Sequence, residues 1–268
     1  MRQVLPRLVA RRRPPSKQPG DYFSPASPRV FAHRGLAVDA PENTLLAFAR
    51  AIAIGAEYIE TDVHASADGI AVIAHDADLA RLAGIDRRID AMTVEELRKV
   101  DLGFGQSFCT LAEALDGFPE TRFNIDVKSA AAVQPTAQAI RAAGASNRVL
   151  VSSFDERRRV AALRGLPGVV SSASARGVVI ALLAGKLGLS PVVRWALRGV
   201  AAVQVPEKAI GLRITTERMI DRLHAAGVEV HIWTVNDAVR IDQLLTLGVD
   251  GIVTDRADLA LEVVRQRS

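Results

Sequence analysis

A closed (β/α)₈ barrel of the α/β class is predicted by three features of the sequence. The chain has 268 residues, close to the roughly 250 typical of one such barrel. Eight short β-branched runs alternate with longer helical patterns. No glycine-rich dinucleotide loop supports the alternative of a doubly wound open sheet. The strands are expected, in order, at Val30–Ala32, Tyr58–Val63, Phe123–Val127, Val149–Ser152, Val169–Ser172, Ala201–Val205, Glu229–Trp233 and Gly251–Val253. Helical patterns fall between them at Thr44–Ile54, Ala130–Ala143, Asp155–Leu163, Thr215–Ala226 and Asp237–Leu247. Gly55, Gly144, Gly227 and Gly248 each follow such a run, where a helix C-terminus favours a residue of positive φ.

The interval from Asp68 to Arg122 is too long for one helix and reads as a small insertion between strands two and three. It is expected to turn at Asp68-Gly69 into a short strand, Ile70–Ala74, followed by helices around Thr93–Val100 and Leu111–Leu115. No second domain is expected beside the barrel of residues 29–268. Hydrophobic residues make up 49 per cent of the chain and aromatics only 4 per cent, so Ala, Val, Ile and Leu must fill the core.

The basic balance is confined to one end. Residues 1–28 carry a net +5 and the whole chain +4, which leaves about −1 for the body. The body is therefore no nucleic-acid surface, and no nucleic-acid partner is expected. The first 28 residues, rich in Pro, Ser and Arg and without hydrophobic period, read as a flexible tail able to touch anionic lipid through charge. No apolar segment follows Arg13, as a secretory signal requires, and Cys109 stands alone, so a cytoplasmic location is expected. Val178–Val203 is apolar but interrupted by Lys186, Pro191, Arg194 and Arg198. It reads as two short helices broken near Pro191, not as a membrane span. Val179, Leu182, Leu183, Leu187 and Val193 either pack on neighbouring helices or offer a peripheral membrane contact near the mouth; no obligate protein partner is evident.

Polar residues gather where strands end, the catalytic end of such barrels. His33-Arg34-Gly35 follow strand one, Glu60 and Asp62 end strand two, Asn124, Asp126 and Lys128 end strand three, and His231 to Asn236 end strand seven. Alternation points Glu60 and Asp62 to one side, and likewise Asn124, Asp126 and Lys128. Carboxylates crowded into a barrel mouth repel one another and lose hydration unless cations neutralise them, and oxygen ligands suit a divalent metal. Arg34 and Lys128 then suit a phosphate.

These residues carry a resemblance to the glycerophosphodiester phosphodiesterase family over nearly all of residues 29–262. The matching elements are Ala32-His33-Arg34-Gly35, Pro41-Glu42-Asn43-Thr44, Glu60-Thr61-Asp62-Val63, Asp68-Gly69, His75-Asp76, Asn124-Ile125-Asp126-Val127-Lys128, Trp233-Thr234-Val235-Asn236 and Gly251-Ile252-Val253-Thr254-Asp255. The resemblance implies a divalent cation, Mg²⁺ or Ca²⁺, on Glu60, Asp62 and the acid of strand three. It implies His33 and His75 as the general acid–base pair, and Arg34 and Lys128 on the phosphate. The family's third acid is commonly Glu before x-Lys, whereas Asp126 is one methylene shorter, which leaves direct and water-bridged ligation both open. Asn43 is expected to contact substrate, to cap the helix beginning at Thr44, or both. Trp233 is either a packing residue or an apolar wall for the substrate, and His64 faces either the mouth or solvent.

The implied reaction is hydrolysis of a small glycerophosphodiester to glycerol 3-phosphate and an alcohol, the glycerol 2-hydroxyl attacking first and water opening the cyclic phosphate. Lysophospholipase D-like action on a lysophospholipid or sphingolipid would use the same residues. A non-catalytic binding protein on this fold would be expected to lack a histidine or an acid, and none is missing.

Overall fold

The computed structural model describes residues 21–267; residues 1–20, most of the segment read as a tail, lie outside it. All eight expected strands are present and parallel: β1 (Arg29–His33), β2 (Tyr58–Ala65), β3 (Arg122–Val127), β4 (Val149–Ser152), β5 (Val170–Ser171), β6 (Ala202–Val205), β7 (Glu229–Ile232) and β8 (Gly251–Thr254). Their order is β5-β4-β3-β2-β1-β8-β7-β6. The two ends meet through a parallel bridge between Ser172 and Ala202, flanked by Ala201 N–H to Ser171 O at 2.8 Å and Ala173 N–H to Ala202 O at 2.9 Å. The barrel is thereby brought to closure.

Alternation along β2 and β3 sorts the side chains. Ile59, Val63, Phe123, Ile125 and Val127 pack outward against Phe48, Leu111, Leu115, Val133 and Ile140 of the surrounding helices. The opposite parity, Glu60, Asp62, Asn124 and Asp126, therefore faces the barrel interior. Register sets these groups side by side, with Glu60 opposite Asn124 and Asp62 opposite Asp126. Outer helices begin on side-chain caps, with Thr44, Asp155, Ser174, Thr216 and Asp237 each accepting from the backbone three residues on. The four glycines expected after helices adopt φ of 96°, 59°, 84° and 91°.

The other end of the barrel is plugged. Tyr22 and Phe23, within the segment read as tail, are buried with Phe31, Tyr58, Leu150, Val170 and Val253. The tail reading thus extends too far: two aromatics in a chain poor in them are structural. Arg29 is clamped beneath them, its Nε and Nη2 donating to both oxygens of Glu229 at 2.9 and 2.8 Å and its Nη1 to Tyr58 at 2.9 Å. Burial alone would raise the Glu229 carboxyl, but hydrogen bonds from Arg29 and His231 overcome it and pull it down to about 2. His231, expected with the strand-exit residues, belongs to this floor instead, fully buried and 3.0 Å from Glu229. Arg29→Ala strips the Glu229 carboxylate of its bidentate partner and leaves it the bond to His231, and should cost about 1.5–3 kcal/mol near neutrality. Because Glu229 titrates lower in the folded than in the unfolded chain, its contribution is present above about 4.5 and is lost as pH falls toward 2. The gap in melting temperature between wild type and Arg29→Ala should narrow across that window; a gap that stays constant contradicts the role given to the pair.

The insertion forms as expected in outline. Ala71–Ile73 pairs antiparallel with the last residues of β2, after the turn at Asp68-Gly69, and short helices follow at Val94–Leu97 and Leu111–Gly117. A further hairpin, Asp78–Leu79 with Ile85–Arg88 around the helix Ala80–Ala83, was not expected, nor was the pair Lys208–Ala209 and Leu212–Arg213 after β6. Two-residue strands are too short to show a period. The apolar segment makes two helices, Ala175–Lys186 and Ser190–Ala196, with Pro191 in the first turn of the second. No helix among the described residues is long and apolar enough to cross a membrane.

Candidate active site

At the C-terminal ends of the strands lies a cavity of about 420 Å³. Of the predicted site residues, His33, Arg34, Glu60, Asp62, His75, Asp126, Lys128 and Trp233 all line it, together with Asn124. Asn43 does not. It is buried at φ 57°, accepting from Thr61 at 2.7 Å and donating to Asp62 Oδ2 at 3.1 Å. The helix cap is Thr44 and not Asn43, whose amide fixes a carboxylate.

His33 arrives on the last residue of β1, and Gly35 lets the chain turn sharply behind it. A Cβ on Gly35, at φ 86°, would sit 2.7 Å from the Ala47 backbone. The His33 Nδ1 meets Asp255 Oδ1 at 2.6 Å, and Asn236 in turn donates to Asp255 Oδ2 at 2.7 Å. Its Nε2 stands 3.8 Å from Glu60 Oε2. Burial disfavours the charged imidazole, but the hydrogen bond to Asp255 and the nearby Glu60 charge raise it above its ordinary value. His75 comes from the insertion, placed there by the antiparallel strand on β2, and its Nδ1 meets Asp76 Oδ1 at 2.7 Å. Each histidine thus has one ring nitrogen held by a carboxylate, which fixes the orientation of the ring.

A chain of ion pairs ties the insertion to the barrel. Asp62 lies 3.4 Å from Arg34 Nε, Arg34 bonds Glu42 at 2.9 Å, Glu42 bonds Arg81 at 2.6 Å, and Arg81 bonds Asp76 at 2.5 Å. This chain ends on the carboxylate that holds His75. His64 faces neither mouth nor open solvent; it is buried, its Nε2 3.1 Å from the His75 carbonyl.

The three acids share the cavity but do not stand alone. Lys128 Nζ sits between Asp62 and Asp126, 2.8 Å from each. Among the described residues no group of three His, Cys, Asp or Glu side chains forms a metal-binding cluster. Burial, with the Asp62 charge beside it, pushes the Glu60 carboxyl up to about 8, and burial also raises Asp126. Two buried oxygens, Glu60 Oε2 and Asn124 Oδ1, lack any hydrogen-bond partner. Unpartnered oxygen on adjacent strands, in a cavity of carboxylates, is the chemistry of an oxygen-ligated cation. The donors present therefore fit a divalent ion at Glu60 and Asp62, with Asp126 shared by Lys128.

The remaining wall is apolar. Trp233 packs edge-on against Phe154 at 6.2 Å, and Val178, Val179, Pro206 and Ala209 continue the surface. Ser152, Ser172 and Gln204 add polar groups. Phe154, Asn124 and Asp255 were not singled out as site residues from the sequence, although two of them stood in quoted motifs.

A barrel whose strand ends combine paired histidines, carboxylates and phosphate-suited cations defines the class of a barrel phosphodiesterase. The model of the glycerophosphoryl diester phosphodiesterase family matches residues 33–259, and the chain belongs to that family of phosphoric diester hydrolases. It is 42% identical over 240 residues to the probable glycerophosphodiester phosphodiesterase 2 of Mycobacterium tuberculosis, covering 89% of this chain and 91% of that one. A glycerophosphodiester phosphodiesterase of Caldanaerobacter subterraneus is 32% identical over 251 residues, covering 88% and 98%. The solved structure of glycerophosphodiester phosphodiesterase from Thermotoga maritima superposes with a TM-score of 0.69 at 27% identity, covering 87% and 97%.

Proposed function

We propose that the protein hydrolyses glycerophosphodiesters to glycerol 3-phosphate and an alcohol, by acid–base catalysis between His33 and His75 with a divalent cation, Mg²⁺ or Ca²⁺. The observation that carries this reading is the pairing of two carboxylate-held histidines with unpartnered acidic oxygen in one cavity. A bound divalent cation would favour the ionised form of Glu60, and with Arg34 and Lys128 it would balance the three carboxylates and one phosphodiester. Glu60, Asp62 and Asp126 would hold that cation, which when bound supplies Lewis-acid polarisation of a phosphoryl oxygen.

The chain's own residues do the rest. Arg34 keeps donors beyond those engaged with Glu42 and Asp62, and with Lys128 it binds the phosphate oxygens. One histidine takes the proton of the attacking glycerol hydroxyl while the other protonates the leaving alkoxide; their roles then reverse as water opens the cyclic phosphate. Asp255 and Asp76 hold the two imidazoles through Nδ1, which leaves Nε2 for the transfers. Trp233 and Phe154 wall the space for glycerol or the leaving alcohol.

The same apolar wall favours a second reading, action on a lysophospholipid, and the chain is 25% identical to a rat lysophospholipase D over 274 residues. Turnover of glycerophosphocholine, glycerophosphoethanolamine, glycerophosphoinositol and lysophosphatidylcholine, each with Mg²⁺ or Ca²⁺, separates the two. The soluble diesters should be cleaved much faster than the lysolipid. Cleavage of the lysolipid alone would replace the first reading with the second.

A further inference from the structure

The helix pair Ala175–Lys186 and Ser190–Ala196 is held by one face. Val178, Ala181, Leu182, Val193 and Leu197 are buried against Met219, Ile220 and Leu223, and Arg222 donates to the Gly185 carbonyl. The other face is open and apolar. Every residue from Lys186 to Val192 is exposed, Leu187 at 74%, and Leu183, Leu189 and Trp195 are exposed at 48%, 47% and 65%. Burying three leucines and a tryptophan elsewhere would have been worth several kcal/mol, roughly 1.5–3 for each large side chain, so their clustering on one surface calls for a partner.

The charges around them say which. From residue 157 to residue 206 the chain contains no Asp or Glu, while Arg176, Lys186, Arg194 and Arg198 all lie exposed on this helix pair. Lys186, Arg194 and Arg198 form no ion pair with any described residue, whereas exposed Arg81, Arg88, Arg98 and Arg267 each do. Apolar side chains, an exposed tryptophan and unpaired cations on one surface match an anionic bilayer interface, where leucine enters the acyl boundary and lysine and arginine meet headgroups. A protein partner would need acidic groups around an apolar patch, and a second copy of this surface would bring like charges together. We propose that the exposed face of this helix pair docks the protein on a bilayer containing anionic phospholipid.

The face stands apart from the chemistry. The first turn of Ala175–Lys186 lines the cavity through Ala175, Val178 and Val179, and the turn at Leu187 lies about 16 Å further along the helix. Docking therefore uses none of the cavity residues, and the basic residues 1–17 form a separate candidate that the test must exclude.

Co-sedimentation with vesicles of phosphatidylcholine, alone or mixed equally with phosphatidylglycerol, tests the proposal on the full chain. Wild type should bind the mixed vesicles, not the neutral ones, and less strongly as salt rises. Leu187→Ser with Leu189→Ser should weaken binding about tenfold for each leucine. Lys186→Gln, Arg194→Gln and Arg198→Gln together should weaken it roughly fivefold for each charge. Both variants should keep wild-type melting temperature and turnover of a soluble diester. A full chain with Arg2, Arg7, Arg11, Arg12, Arg13 and Lys17 changed to Gln should still bind. Absence of binding by wild type, wild-type binding by both helix-pair variants, or loss only in the N-terminal variant overturns the proposal. So does a wild-type dimer in light scattering that the leucine substitutions abolish.

Discussion

Replacing His33 or His75 by alanine is expected to lower turnover about 10²–10⁴-fold while substrate binding changes little, the signature of groups that act on moving protons. The expectation rests on geometry at both rings. His33 is held by Asp255 at 2.6 Å and His75 by Asp76 at 2.7 Å, so each ring has a fixed nitrogen and a free one. Asp255→Asn should give a smaller loss than His33→Ala, because it removes the hold on the ring and leaves the ring itself. Steady-state kinetics on the best soluble diester would check both. A histidine variant that keeps near-normal turnover, or one whose defect lies wholly in KM, removes that residue from proton transfer.

Asp62→Asn and Glu60→Gln are each expected to abolish measurable divalent-cation binding and, with it, turnover. Asp62 is the most heavily engaged carboxylate of the cavity, meeting Lys128 at 2.8 Å, Asn43 at 3.1 Å and Arg34 at 3.4 Å. Glu60 carries an oxygen with no partner. Asp126 shares Lys128 with Asp62, and a shorter side chain reaches less far, so Asp126→Asn should weaken cation binding less than either of the others. Calorimetric titration of chelator-treated protein with Mg²⁺ and Ca²⁺ reads this without reference to activity. Wild-type affinity in Asp62→Asn would contradict the ligand assignment, and an Asp126→Asn defect as large as the others would make Asp126 an equal ligand.

Periodicity made the barrel legible because most strands, β2 and β3 above all, alternate or run apolar over four or more residues, and because caps such as Asp155 and Asp237 mark where helices start. Within β2 and β3 the same alternation correctly put Glu60, Asp62, Asn124 and Asp126 on one face. Contacts across long chain separations were not legible. His33 and Asp255 are 222 residues apart, and nothing local to either names the other. The path from Asp62 through Arg34, Glu42 and Arg81 to Asp76 joins a barrel strand to an insertion whose hairpin has only two-residue and four-residue strands. Asn43 was misread because an Asn before a helix is usually a cap, whereas here Thr44 takes that place and Asn43 turns inward. Tyr22 and Phe23 were lost in a polar, basic context that hides two aromatics with a place in the barrel floor. His231 was grouped with the mouth because it stands near the end of β7, although its register with Gly251, the first residue of β8, places it low in the barrel.

Phosphorus NMR of glycerophosphoethanolamine incubated with the protein and Mg²⁺ or Ca²⁺ tests the central claim most directly. The diester resonance should be replaced by that of glycerol 3-phosphate, with ethanolamine released. No conversion should occur in chelator or with His33→Ala. A diester resonance that persists unchanged with either cation, or conversion that proceeds equally well in chelator, would contradict the account.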